Sequence, residues 1–320
     1  MTRGLSGELR PAGAVELAVV ERSGLRESSH SGAAVVLDPG GEVLAEHGDI
    51  DALLYPRSTL KLMQAVAVRR AGARLEDEEL VLSAASHVGT SEHVRVVRSI
   101  LDRAGLTESA LQCPADWPSD PAARRAADRP ERVFMGCSGK HAAFLLACSV
   151  NGWSTEDYLD PGHPLQLLIR RTVEDFTGET VLHTGVDGCG APVHAVTLRG
   201  LARGIGRVVR GADDDSARLA EAIRRFPWAL DNRTVRTVIE ELGIVAKSGA
   251  EGVFVAGEED GTAVAIRVLD GSQRPLAPVA LSLLAQYGTV HPADAERVRL
   301  AVTEPVLGGG VPVGELFPVV

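Results

Sequence analysis

The chain has few cysteines and few aromatic residues, no excess of basic residues and no long apolar run. Four cysteines in 320 residues are too few for a disulfide scaffold, and a net charge of −10 argues against nucleic acid or an anionic membrane as the main partner. The longest apolar run, 276–285, contains Pro278 and is too short for a membrane helix, which needs roughly 20 residues. The N-terminus has no apolar signal region, so we expect a cytoplasmic protein.

Strand patterns lie near the two ends of the sequence, and helix patterns lie between them. The apolar, strand-like runs are 15–20, 32–37, 244–247, 252–256 and 263–269. Apolar stripes at helical spacing predict a first helix that opens at Ser58 and a last helix over 276–287, followed by a tail rich in glycine and proline. The sequence therefore predicts an α/β fold of the α+β type, a single compact unit in which 1–55 and 243–320 form the sheet-containing part and 56–242 a mostly helical part.

Ser58 and Lys61 stand three residues apart where a helix is predicted to begin, so both side chains lie on one face. A serine hydroxyl needs a base before it acts as a nucleophile, and a lysine amine is such a base only when uncharged. Because the intrinsic pKa of lysine is about 10.4, burial or a nearby cation has to favour the neutral amine. Lys247 in Lys247-Ser248-Gly249 is the candidate cation, since Ser-x-x-Lys with a distant Lys-Ser/Thr-Gly is typical of penicillin-recognising serine hydrolases.

Ser86-His87 follows a predicted helix over 76–85. Ser86 can supply the second hydroxyl that such sites place between the nucleophile and the leaving group. The alternative is structural, because the pair also suits the end of a helix, where His87 interacts favourably with the helix dipole. Lys61 likewise has a structural alternative as a solvated helix lysine, with Ser58 as a helix cap.

Cys137 and Lys140 open another predicted helix, and Cys189 lies in a second glycine-rich segment. Two thiolates bind zinc, but a structural zinc site usually has four Cys or His ligands. A lysine ligand has to lose its proton, which a bound cation can enforce as it does for thiols. The residues alone leave two interpretations open: a metal site with His141 and Asp187 nearby, or two buried cysteines in tight glycine turns.

Six segments of the chain, in order, resemble the rhizobial-type L-asparaginases. They are Val19-Val20-Glu21-Arg22-Ser23-Gly24, Pro56-Arg57-Ser58-Thr59-Leu60-Lys61, Ala85-Ser86-His87, Cys137-Ser138-Gly139-Lys140-His141, Val186-Asp187-Gly188-Cys189 and Lys247-Ser248-Gly249-Ala250-Glu251-Gly252. The matching segments span most of the chain and are more specific than a shared Ser-x-x-Lys.

The resemblance implies a serine β-lactamase-like and glutaminase-like fold, a homodimer, and hydrolysis of L-asparagine to L-aspartate and ammonia. It also implies two serine–lysine tandems, Ser58 with Lys61 and Ser86 with Lys247. The zinc ligands that it implies are Cys137, Lys140 and Cys189. The residues expected to contact substrate, which adjoin these positions, are Arg57, His87, His141 and Asp187.

Two other classes of function remain open from the sequence. Another serine amidohydrolase of the same fold, such as a glutaminase or a penicillin-recognising enzyme, shares the serine–lysine motifs. The arginine- and alanine-rich segment 116–132 departs from the family pattern and leaves the amide substrate undecided. A zinc-stabilised binding domain without catalysis accounts for the two cysteines but not for the serine–lysine motifs.

Overall fold

The computed structural model describes residues 7–230 and 232–320. Its strands are β1 (Val15–Arg22), β2 (Leu25–Leu37), β3 (Val43–His47), β4 (Leu53–Leu54), β5 (Thr184–Val186), β6 (Pro192–His194), β7 (Val196–Thr197), β8 (Val245–Gly249), β9 (Val253–Gly257), β10 (Ala263–Val268), β11 (Val306–Gly308) and β12 (Val311–Pro318). Its helices are α1 (Lys61–Arg70), α2 (Asp77–Ser83), α3 (Ser91–Arg103), α4 (Pro121–Ala126), α5 (Ser138–Asn151), α6 (Pro164–Thr177), α7 (Leu198–Val209), α8 (Asp214–Arg225), α9 (Arg233–Leu242), α10 (Leu276–Tyr287) and α11 (Pro292–Val302). Over these described residues, every helix is too short or too polar to cross a membrane.

The chain divides into two compact units, and each is formed by segments that are distant in sequence. The first unit contains the chain up to Thr59, Ala195–Arg210 and Thr237–Val320. The second unit contains Leu60–His194 and Gly211–Arg236. The boundary between Thr59 and Leu60 falls inside the short 3₁₀ turn Arg57–Leu60.

The first unit is built around an antiparallel sheet that strands from both ends of the chain form together. Its order is β11-β12-β1-β2-β10-β9-β8, and β3 pairs with β2 beside this path. The long strand β2 pairs with β1 through its first half and with β10 and β3 through its second half. The predicted α+β class, with a sheet made from N-terminal and C-terminal strands, is confirmed.

Helices α7 and α10 pack on this sheet, and α11 packs on α10. Alternating strand residues supply the apolar surface that the helices cover, for example Val35, Val255 and Ala265, which are fully buried. α10 is apolar on nearly all sides and buries most of its residues, which is typical of a helix inside the core of a domain.

The predicted end of the chain was wrong, because 276–287 is not the last element. The tail contains α11 and the hairpin β11–β12, whose second strand pairs with β1 from Ala18↔Pro318 to Arg22↔Gly314. The local pattern does not reveal this strand, since its residues are mostly polar or partly exposed and Leu316 is its one fully buried side chain. Its partner lies about three hundred residues earlier, so the pairing is a tertiary effect that overrides local propensity.

The second unit is mainly helical, with α1 and α5 as its most buried helices. α1 contacts α2, α5, α6 and α8, and α5 also contacts α3. The helix predicted to open at Ser58 begins instead at Lys61. The reason is local: Arg57 has a positive φ of 53°, and residues 57–60 form a 3₁₀ turn before the α-helix starts.

Candidate active site

Ser58 lies in the first unit, in a turn with unusual backbone geometry. Arg57 has φ 53°, a conformation that costs about 1–3 kcal/mol in a residue with a side chain and persists only where the surroundings enforce it. Thr59 enforces the turn by donating to the Pro56 carbonyl oxygen from its hydroxyl at 2.8 Å and from its backbone N–H at 3.2 Å. Ser58 is partly exposed, and its hydroxyl makes no hydrogen bond to another described residue. Ser58 is therefore accessible, and its hydroxyl is not hydrogen-bonded to another described residue.

The Lys247-Ser248-Gly249 motif lies on β8 and packs against the same turn. A Cβ on Gly249 would lie 2.8 Å from the Pro56 carbonyl oxygen and 3.2 Å from Thr59 Cγ2. Only glycine therefore allows the end of β8 to approach the turn that carries Ser58. This contact places the Lys247-Ser248-Gly249 segment next to the turn that carries Ser58.

Lys247 is fully buried, and its ammonium nitrogen donates to the Ser248 carbonyl oxygen at 3.1 Å. In the antiparallel register it stands opposite Val255. Its row of the sheet continues through Ala265 to Val35, so its surroundings on the strand are apolar. A buried lysine in such surroundings needs polar partners, which is why the position is a candidate for function.

Lys61 is the first residue of α1 in the second unit, and only 1% of it is exposed. Its Nζ donates to the Ala85 carbonyl oxygen at 2.6 Å and to Ser86 Oγ at 3.1 Å. Ser86 is held in place by its own backbone N–H, which donates to the Leu230 carbonyl oxygen at 2.8 Å. The interpretation of Lys61 as a solvated helix lysine is therefore wrong, since the side chain points inward to the second predicted serine.

Lysine occurs only three times in the sequence, at positions 61, 140 and 247, whereas Lys and Arg together number 33. All three lysines are buried, with relative exposures of 1%, 2% and 0%. Lysine is among the residues least often found fully buried. The composition thus carries a signal that motif reading missed: arginine supplies the other cations of the chain, and lysine is restricted to the candidate site.

Cys137, Lys140 and Cys189 come together in the second unit. Gly139 allows the start of α5 to approach α2, because a Cβ there would lie 2.5 Å from the Leu82 carbonyl oxygen. Lys140 Nζ then lies 3.1 Å from Cys189 Sγ, and Cys189 is hydrogen-bonded to Cys137.

Charge is shared unequally among these three side chains. The hydrogen bond from Cys189 holds the pKa of the Cys137 thiol well below its usual value, and the positive charges of Lys61 and Lys140 lower it further against the effect of burial. The same hydrogen bond, together with burial, raises the pKa of Cys189. Burial alone would lower the pKa of Lys140, but the adjacent cysteine thiolate charge raises it. The cluster therefore favours a Cys137 thiolate beside a Lys140 ammonium.

The donor set of this cluster fits a zinc ion. Zinc is bound in proteins by sulfur and nitrogen ligands in tetrahedral arrangement, and two thiols with one amine supply three such donors. Within residues 7–230 and 232–320, no group of three or more His, Cys, Asp or Glu side chains is placed to hold a metal. Lys140 is consequently the donor that decides whether the cluster is a metal site.

The predicted substrate contacts His87 and His141 are buried among protein groups. His87 Nδ1 accepts from the Gly89 N–H at 3.1 Å, so Nε2 carries the proton and donates to Ser138 Oγ at 2.8 Å. His141 Nδ1 lies 2.7 Å from the Tyr158 hydroxyl. Burial keeps the pKa of both imidazoles well below the usual value, so both are neutral.

Asp187 and Arg57 are more accessible than the two histidines. Asp187 Oδ2 lies 3.8 Å from Cys189 Sγ, which places the carboxylate beside the cysteine–lysine cluster. Arg57 directly precedes Ser58 and carries the strained φ of the turn. Sequence reasoning gave no role to Tyr158, which lies outside every motif, or to Ser138, which lies inside the Cys137–His141 segment; each of them contacts a histidine.

Comparison with known proteins gives one family and several distant structures. The model of the L-asparaginase II family matches residues 18–318. Among curated proteins no relative matches the chain. Solved structures similar to the chain include a β-lactamase from Mycobacterium bovis (18% identity, 85% of this chain and 95% of that chain, TM-score 0.42). They also include a probable glutaminase from Bacillus subtilis complexed with 6-diazo-5-oxo-L-norleucine (11% identity, 81% and 85%, TM-score 0.40).

Proposed function

The chain belongs to the L-asparaginase II family, a family of amidohydrolases, and on that premise we propose that it hydrolyses L-asparagine to L-aspartate and ammonia. The observation that carries the proposal is the placement of the three lysines. Each of them is buried, and each adjoins a serine or cysteine of the predicted site: Lys61 at Ser86, Lys140 at Cys189, and Lys247 on the strand that packs on the Ser58 turn.

The proposed mechanism begins with Ser58 as the nucleophile. Lys61 in its uncharged form takes the proton of the Ser58 hydroxyl, and the Ser58 oxygen attacks the side-chain carboxamide carbon of asparagine. The tetrahedral intermediate places its negative oxygen near backbone N–H groups, of which the Ser58 N–H in the 3₁₀ turn is the first candidate.

Collapse of this intermediate requires a proton on the departing nitrogen. Lys61 Nζ is 3.1 Å from Ser86 Oγ, so a proton taken from Ser58 can pass to the Ser86 hydroxyl and on to the leaving ammonia. Lys247 is proposed as the second amine, coupled to Ser86. The proton that Ser86 gives to ammonia is replaced by the one that Lys61 took from Ser58, so Lys247 ends the step in its starting charge state. Water then attacks the acyl-enzyme and releases aspartate, and Ser58 recovers its proton.

A coupled ammonia assay over a panel of amides tests this proposal. We expect kcat/KM for L-asparagine to exceed that for L-glutamine by at least about tenfold, because a pocket fitted to one side-chain length loses about 1–3 kcal/mol per extra methylene. Ammonia release from glutamine but not from asparagine would support the glutaminase alternative. Covalent labelling by penicillin would support the penicillin-recognising alternative, and absence of any amide hydrolysis would favour a binding domain.

Cys137, Lys140 and Cys189 are proposed to hold zinc. When bound, zinc would supply a fixed positive charge that favours an anionic oxygen or a deprotonated amine nearby. Asp187, at 3.8 Å from Cys189 Sγ, is the neighbouring carboxylate and is proposed to orient water or substrate there.

We expect the purified chain, supplied with zinc, to retain about one zinc ion per chain and to lose most of it on replacement of Cys189 by serine, since removing one of three ligands weakens binding strongly. Metal content after gel filtration, measured by mass spectrometry, is the readout. Cys148→Ser is the matched control, because Cys148 is equally buried in α5 but lies outside the cluster. Equal zinc content in the Cys189→Ser variant and the control would contradict the proposed ligands.

The predicted homodimer and cytoplasmic location stay predictions. The small-molecule substrate follows from the family. Light scattering on the purified chain measures its mass in solution and decides between monomer and dimer.

A further inference from the structure

Arg267 on β10 has a guanidinium group that pairs with none of the described residues. The residue is half-buried, and within the described part of the chain its side chain makes no hydrogen bond or ion pair. Arg199 in the same unit shows the ordinary arrangement, since it donates to the two carboxylate oxygens of Asp51 at 2.7 and 3.3 Å. A partly buried charge that stays unpaired reduces stability, so Arg267 calls for an explanation beyond folding.

The sheet register places Arg267 on the face that carries the candidate site. Residues paired directly across antiparallel strands project to the same face, and Gly249, Val253 and Arg267 form one such row. The next row on that face starts with Lys247. A Cβ at Gly249 would project toward Pro56 and Thr59, so the turn that carries Ser58 also lies on this face.

The distances on this face suit a small ligand. Arg267 is two strands away from Gly249, which corresponds to about 10 Å between backbones. The positive charge of Arg57, which directly precedes Ser58, acts on Arg267. The Arg267 guanidinium is therefore within reach of a molecule whose reacting atom lies at Ser58.

Charges of both signs act on Arg267. Burial lowers the pKa of Arg267, the Glu251 carboxylate opposes this, the positive charge of Arg57 adds to it, and Asp270 opposes it. Asp270 is already engaged by His30, whose Nδ1 lies 2.6 Å from Asp270 Oδ2. No described carboxylate forms an ion pair with Arg267, so its guanidinium has no charge partner among the described residues.

We propose that Arg267, with Arg57 beside it, binds the α-carboxylate of the amide substrate. The proposal rests on the proposed function and names the substrate group that the first unit recognises. A guanidinium offers parallel N–H donors that match a carboxylate, which makes arginine the suitable side chain for this task. Recognition of a free α-carboxylate would restrict the enzyme to free amino acids and exclude asparagine within a peptide chain.

The test compares L-asparagine with its α-methyl ester, which keeps the side-chain amide but has no α-carboxylate. In the wild-type chain we expect asparagine to be the better substrate by at least about tenfold in kcat/KM. Arg267→Met is expected to lower kcat/KM for asparagine about 10- to 100-fold, mainly through KM, and to change the ester value less than about threefold. Arg267→Lys should recover part of the loss, because it keeps the charge without the planar fork.

Arg26→Met is the matched control, since Arg26 on β2 of the same sheet is exposed and its guanidinium forms an ion pair with Glu16. Equal losses for asparagine and ester in Arg267→Met, or no loss for either, would overturn the proposal. Titration calorimetry with L-aspartate gives a readout that is independent of turnover. If the wild-type chain binds aspartate but does not hydrolyse asparagine, the proposed function fails, and the role of Arg267 in binding is then decided by the Kd for aspartate alone. Weaker binding by Arg267→Met supports that role, and equal binding refutes it.

Discussion

Ammonia release from asparagine is expected to fall by at least about a thousandfold when Ser58 is replaced by alanine. The variant loses the atom that forms the acyl-enzyme, and removal of a nucleophile in other serine hydrolases has effects of this order or larger. The fold should be unaffected, because the Ser58 hydroxyl makes no hydrogen bond to a described residue and the turn is held by Thr59 and Pro56. Initial rates and thermal melting of the two proteins measure both parts of this expectation.

Ser29→Ala is the matched control, since Ser29 is an exposed serine on β2 and should retain wild-type activity and stability. A rapid acid quench during turnover, followed by peptide mass mapping, should find an aspartyl adduct on the peptide that contains Ser58. The adduct on Ser86 instead, or a Ser58→Ala rate within tenfold of wild type, would show that the nucleophile has been assigned to the wrong hydroxyl.

The elements of the fold that the sequence predicted well are those with strong local patterns. β9, β10, α10 and the second half of β2 have long apolar runs or stripes, and the structure contains them close to the expected positions, whereas the polar first half of β2 was not predicted. β12 went unpredicted for a different reason: it is defined by its pairing with β1, and that partner comes from a remote part of the chain. Hydrophobic periodicity carries no information about such partners.

The residues of the candidate site divide in the same way, into those with a local sequence pattern and those that depend on tertiary contacts. Each motif was visible, because Ser58-x-x-Lys61 and Lys247-Ser248-Gly249 have characteristic spacing. The contact that relates Ser58 to the second motif, Gly249 against the Pro56 carbonyl oxygen, depends on the tertiary structure. Arg267 could not have been found from spacing, since its significance lies in the sheet row it shares with Gly249 and in the lack of an ion-pair partner among the described residues.

Replacement of Lys61 by methionine is expected to lower kcat by about 10²–10⁴-fold, the usual contribution of a general base. Methionine has a similar length and suits a buried position, so the variant should fold. It leaves the Ala85 carbonyl oxygen and Ser86 Oγ without their Lys61 donor, which should lower the melting temperature by a few degrees. Steady-state kinetics and calorimetry separate the loss of the base from the loss of stability.

Lys61→Arg decides whether the amine works as a base or only as a positive charge. Arginine keeps the charge and several donors but is not deprotonated in proteins, so a base role predicts that this variant is as inactive as Lys61→Met. A purely electrostatic role predicts that Lys61→Arg recovers most of the activity. Small amines added to Lys61→Ala, in which the side chain leaves a cavity, should restore part of the rate if a base is missing. The distribution of cations in this chain favours the base: arginine supplies the remaining positive side chains, and lysine, which can lose its proton, occurs only at three buried positions.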